Sequence, residues 1–168
     1  MSQLTEAAQA KEIALTINGR RETMRVPSHR TLLEALREAG HVEVKCGCEK
    51  GDCGACAVLI DDIAVDSCLA LAWACEGKAI TTVSGLGTPD APHPLQAAFR
   101  ELGAAQCGYC TPGMIIAAKG LLDENPDPTD DEIRMGLGGN LCRCTGYAKI
   151  LDAVARAGEV MREQGFRS

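Results

Sequence analysis

A chain of 168 residues holds one ordinary domain or two small ones, and with 46% apolar residues it can build a packed core. Its formal charge of −6, with basic residues scattered, excludes the basic stripe of a nucleic-acid binder and the polybasic patch of a membrane-docking protein. One Trp, two Tyr and two Phe are too few for an aromatic-lined substrate pocket, so clefts of Ala, Leu and Gly are expected instead.

In chain order, residues 12–18 (EIALTIN) alternate apolar and polar side chains, and Asn18-Gly19 is a hairpin turn signal. Residues 20–26 supply the returning strand, which Pro27 ends. Residues 31–39 (TLLEALREA) place Leu32, Leu33 and Leu36 on one helical face, with Gly40 as a C-terminal stop. A Gly- and Cys-rich loop follows. Residues 57–60 and 63–65 then read as strands around an Asp61-Asp62 turn, residues 69–75 as a short helix and 79–83 as a last strand. The stretch 84–94 (SGLGTPDAPHP) is rich in Gly and Pro and reads as a linker.

Everything beyond it reads as helical. Residues 95–102 form a short helix, and Thr111-Pro112 opens another toward Leu122 as an N-cap followed by Pro at the first helical position. Thr129 with Glu132 is a capping box opening residues 130–135. Residues 147–163 carry an apolar stripe of Ile150, Leu151, Val154 and Val160. The expected organisation is a sheet-containing domain at 12–83, the linker at 84–94 and a helical domain at 95–164. Each half is near the size at which a hydrophobic core alone is marginal, so a metal cluster in each would also act as a staple.

No apolar run approaches the roughly 20 residues of a membrane span, and the first ten residues, MSQLTEAAQA, lack a secretion signal's basic and apolar regions. The expected location is cytoplasmic. In that reducing compartment ten cysteines point to metal binding rather than to a disulfide framework.

Cys48, Cys53 and Cys56 are spaced C-x4-C-x2-C, with Cys68 further on, which is the plant-type ferredoxin spacing for a 2Fe–2S cluster. A short loop can bring three thiolates to two irons while Gly47, Gly51 and Gly54 let its backbone N–H groups approach the sulfurs. The competing readings are a structural zinc site, whose ribbons show paired C-x2-C knuckles, and simple buried cysteines. Choosing Cys46 in place of Cys48 would break the spacing.

Cys107 and Cys110 form C-x2-C ahead of one helix, and Cys142 and Cys144 form C-x-C ahead of another. A position before a helix N-terminus favours the thiolate, and Gly108, Gly113, Gly138, Gly139 and Gly146 allow close backbone approach. Spacing alone leaves zinc open here. A redox disulfide at Cys107–Cys110 lacks the thioredoxin context and leaves the other pair unexplained.

The segments GCEKGDCGACAV (47–58), DSCL (66–69), QCGYCTPGM (106–114) and GNLCRCTGY (139–147) together closely resemble the small iron–sulfur subunit of the molybdenum hydroxylases. This is the xanthine oxidase family, which includes dehydrogenases of purines, aldehydes, N-heterocycles and carbon monoxide, and 4-hydroxybenzoyl-CoA reductase. The resemblance covers roughly residues 12–163. It implies an α+β architecture, a β-grasp ferredoxin-like domain followed by a four-helix bundle, with one 2Fe–2S cluster in each. Cys48, Cys53, Cys56 and Cys68 would hold the first cluster, and Cys107, Cys110, Cys142 and Cys144 the second. It further implies a large molybdopterin-binding partner nearest the helical cluster, with Gln106 and Cys144 as candidate pterin contacts. Electrons would leave through the ferredoxin-like cluster to a flavin (FAD) subunit or another acceptor. Ala57 where Thr is common, Asp61-Asp62 for Asp-Gly and Gly138 for Ala are departures, and none falls on a ligand.

The chain has no dinucleotide loop and no Ser/His/Asp grouping, so substrate chemistry is expected on a partner. His29, His41 and His93 read as loop or surface residues, Cys75 as a small core residue, and residues 69–75 with Trp73 as packing. Cys46 reads as a packing residue or a site of oxidative damage. A stand-alone ferredoxin and a zinc-binding interaction module are the rival functional classes.

Overall fold

The computed structural model describes residues 10–165; the leader reading of residues 1–9 lies outside them. Strand β1 (Ala10–Ile17) pairs antiparallel with β2 (Arg20–Pro27) through the Asn18-Gly19 turn, where both residues have positive φ. Helix α1 (Leu32–Glu38) follows, capped by Thr31, whose hydroxyl accepts from the Glu34 N–H while Glu34 bonds back to the Thr31 backbone. Strands β3 (Ala57–Ile60) and β4 (Ile63–Asp66) form a second hairpin, and β5 (Ala79–Thr81) completes a sheet of order β2-β1-β5-β3-β4. β5 runs parallel to β1 and antiparallel to β3.

Alternation along β1 buries Ile13, Leu15 and Ile17 on one face, where α1 covers them with Leu32, Leu33 and Leu36. Each such side chain contributes about 1.5–3 kcal/mol by leaving water. Cys75 and Trp73 pack on this core as expected, and the Trp73 indole donates to the Val26 carbonyl at 2.8 Å. The short helix expected at 69–75 is confined to a 3-10 turn at Ala72–Cys75. β5 is shorter than expected because a brief helix α2 (Val83–Leu86) begins at the last residue of the expected strand and runs on into the stretch read as a linker.

Helices α3 (Pro94–Glu101), α4 (Thr111–Glu124), α5 (Asp130–Gly136) and α6 (Ala148–Glu163) share a second core of Leu95, Phe99, Met114, Ile115, Leu122, Ile133, Ile150 and Val154. The Thr129–Glu132 capping box opens α5 as expected. On α6 the buried stripe is Ile150, Ala153, Val154, Ala157, Gly158 and Met161, while Leu151 and Val160 are half-buried. His93, read as a loop or surface residue, lies in the loop ahead of α3 but is buried there and caps the helix, Nδ1 accepting from the Leu95 N–H at 3.2 Å. Ile116 of α4 packs on Ala57 and Leu59 of β3, so the two cores meet along one side of the sheet.

Candidate metal centres

The loop between α1 and β3 carries Cys48, Cys53 and Cys56, and Cys68 follows β4. The structure brings these thiols together as pairs: Cys48 with Cys53, and Cys56 with Cys68. Backbone N–H groups of Lys50 and Asp52 point at the Cys48 sulfur at 3.4 and 3.3 Å. Those donors, Lys50 first, lower the Cys48 thiol to about 7. Burial pushes Cys56 the other way, up to about 12. A Cβ at Gly47 would sit 2.7 Å from the Cys53 sulfur and would push it from its place. Cys46 stands outside the set, its thiol donating to Glu49 at 2.8 Å.

In the helical half the thiols pair again, Cys107 with Cys144 at 3.6 Å and Cys110 with Cys142. The helix-terminus expectation fails at Cys110 and Cys144, whose thiols are raised, and the lowering at Cys142 comes from hydrogen bonds within its loop. Burial pulls Cys142 upward, yet hydrogen bonds from Thr145, the Cys144 backbone and Cys110 outweigh it and bring the thiol to about 7. Cys110 is pushed up to about 12, burial being the largest cause. Thr145 Oγ1 lies 3.0 Å from the Cys142 sulfur. Tyr147 was expected inside α6 but precedes it, at φ 68°, and its hydroxyl sits between two backbone groups of the cysteine loop. It accepts from the Cys142 N–H at 2.7 Å and donates to the Asn140 carbonyl at 3.1 Å.

The two loops touch. The Leu141 N–H donates to the Cys53 carbonyl at 2.9 Å, and Asn140 Nδ2 to the Gly54 carbonyl at 2.9 Å. Tyr109 reaches across to the Cys46 carbonyl at 2.7 Å. These cross-links were not legible in the sequence, because a main-chain acceptor has no residue signature. Gln106, Cys107, Tyr109, Leu141 and Cys144 are exposed, while Cys56 and Cys68 are buried.

Among the described residues no three His, Cys, Asp or Glu side chains form a ready site for a single ion. Thiols paired two by two, with backbone N–H groups facing sulfur, fit a binuclear cluster, each iron taking two cysteines. The donor chemistry and the close approach of the Gly47 backbone to the Cys53 sulfur therefore suit the group that the spacing suggested.

This combination defines a two-part iron–sulfur protein of 2Fe–2S type. The comparisons agree: the family described as 2Fe-2S iron-sulfur cluster binding domain matches residues 15–83, and that described as [2Fe-2S] binding domain matches residues 82–155. The chain is 49% identical to the nicotinate dehydrogenase small FeS subunit of Eubacterium barkeri, over 88% of this chain and 94% of that one. It is 46% identical to the nicotine 6-hydroxylase small subunit of Paenarthrobacter nicotinovorans, over 92% of this chain and 94% of that one. A chain of the crystal structure of quinoline 2-oxidoreductase from Pseudomonas putida 86 superposes with a TM-score of 0.88 at 45% identity, covering 93% of this chain and 98% of that one. The chain belongs to the family of small iron–sulfur subunits of molybdenum hydroxylases.

Proposed function

We propose that this chain is the electron-transfer subunit of a molybdopterin-dependent hydroxylase or dehydrogenase. It relays electrons one at a time from a molybdenum centre on a large partner, through two 2Fe–2S sites, to a flavin subunit or another acceptor. The observation that carries this reading is that eight cysteines meet as two sets of two pairs, on loops that are hydrogen-bonded to each other.

On this reading Cys48, Cys53, Cys56 and Cys68 hold one cluster and Cys107, Cys110, Cys142 and Cys144 the other. The domains are 12–83 and 95–164, joined by 84–94, and α3 to α6 form a four-helix bundle. A bound 2Fe–2S cluster takes up and releases a single electron. The chain's own residues do the rest. Lys50 and Asp52 present N–H groups to sulfur, which favours the more negative, reduced state. Burial of Cys56 and Cys68 keeps water from one end of the route. At the other end, exposed Cys107 and Cys144 sit beside Gln106, Tyr109 and Leu141, a surface suited to the molybdopterin-binding partner. There Gln106 and Cys144 are the candidate pterin contacts.

The location we propose is a reducing cytoplasm, where two clusters use eight of the ten cysteines. No helix among the described residues is long and apolar enough to cross a membrane. Co-purification tests the partnership: a tagged chain should bring down a large molybdenum-containing polypeptide. A chain purified from its native host as a loaded, stable monomer would favour a stand-alone ferredoxin instead.

A further inference from the structure

The peptide group between Gly54 and Ala55 is held from both ends. Its N–H, on Ala55, faces the Cys53 sulfur. Its carbonyl oxygen accepts from the Ala57 N–H at 3.2 Å and from Asn140 Nδ2 at 2.9 Å. In a trans peptide these two groups point in opposite directions, so a donor on the oxygen fixes the plane that aims the N–H at sulfur. The same donor polarises the amide and strengthens the pull of its N–H on the sulfur it faces.

Asn140 lies 86 residues away, in the helical half. It is buried and tied there by its backbone, its N–H donating to the Leu137 carbonyl at 2.9 Å and its carbonyl accepting from Tyr147 at 3.1 Å. A Cβ on Gly54 would collide with the Asn140 side-chain amide, so the glycine and the asparagine fit as a matched pair. Gly54 also has φ +65°, a conformation other residues rarely hold.

We propose that Asn140 is a positioning residue for the ferredoxin-like centre: from the helical half, its side-chain amide orients and polarises the Gly54–Ala55 peptide, whose N–H faces the Cys53 sulfur. A residue beside the second cysteine loop thereby tunes the first. The inference rests on the two-cluster reading above. Because hydrogen bonds to sulfur favour the reduced form, losing the Asn140 donor lowers the potential of the ferredoxin-like cluster.

The test is an EPR-monitored redox titration of the assembled complex carrying Asn140→Leu, which keeps the branched shape and removes the donor. Asn140→Ala serves as a second variant. Signals are assigned with Cys68→Ser and Cys107→Ser, each perturbing one centre. The expected result is unchanged iron content, a lower midpoint for the ferredoxin-like signal, and a smaller movement of the helical one. A merely structural role would lower the unfolding temperature without a directional shift. A loaded variant whose ferredoxin-like midpoint equals wild type, or whose change is confined to the helical signal, overturns the proposal. An iron-free wild-type complex would instead overturn the reading beneath it.

Discussion

Gly113, in the first turn of α4, packs against the Gly54 carbonyl of the first cysteine loop. A Cβ at Gly113 would overlap that oxygen and crowd the Ala55 Cα at 3.0 Å. In an ordinary helix Gly→Ala would gain up to about 1 kcal/mol. Here overpacking against backbone wins, at a net cost of about 1–3 kcal/mol. Gly113→Ala should therefore lower the urea midpoint of the loaded chain, and an unchanged midpoint would mean that the two loops are not closely joined.

The pairing of thiols makes a prediction about iron. Cys68→Ser and Cys110→Ser should each roughly halve the iron content, from about four atoms per chain for two binuclear clusters. Cys46→Ala and Cys75→Ala should leave it unchanged, since Cys46 is turned to Glu49 and Cys75 lies in the sheet core. Iron loss in Cys46→Ala with full loading in Cys48→Ala would reverse the register.

Tyr147→Phe keeps the ring that packs on the helical core and removes only the hydroxyl between Cys142 N–H and Asn140 carbonyl. Two half-buried backbone groups lose their partner, at about 1–3 kcal/mol each if water does not replace it. The freed Cys142 N–H can turn toward sulfur, so the helical centre's potential should rise, and the loosened Asn140 should move the ferredoxin-like one less. A redox titration in which neither signal moves would contradict this role.

His93 gives the chain a dependence on acid. Burial, aided by the Lys119 charge and opposed by Asp123, depresses its imidazole from the ordinary 6.5 to about 4. Between those values the unfolded chain binds a proton that the folded chain does not. Stability is therefore full above about pH 6.5 and falls as pH drops toward 4, by at most about 3 kcal/mol. Protonating Nδ1 would also break the α3 cap. His93→Asn keeps a capping acceptor and does not titrate, so denaturant midpoints measured from pH 7 to 5 should flatten in that variant. Equal slopes in both proteins would assign the acid sensitivity elsewhere.

Local chemistry was legible wherever a short motif carries its own geometry. Asn18-Gly19 takes the positive φ angles of a tight hairpin, and Thr129 with Glu132 caps α5 reciprocally, because both depend on neighbours in sequence. Matching the cysteine motifs to the family was possible for the same reason. Tertiary context decided the rest. His93 is polar and sits in a Gly/Pro-rich stretch, yet folding buries it as a cap. Helix position alone suggested depressed thiols, but at Cys110 burial outweighed it. Asn140 and Leu141 gave no sign of touching Gly54 and Cys53, since those contacts are to backbone carbonyls far away in sequence.

The most direct measurement is EPR of the purified protein before and after dithionite reduction, with iron and zinc counted on the same sample. Two distinct rhombic signals and about four irons per chain are the result expected for a two-cluster relay. An EPR-silent, zinc-loaded protein would contradict it.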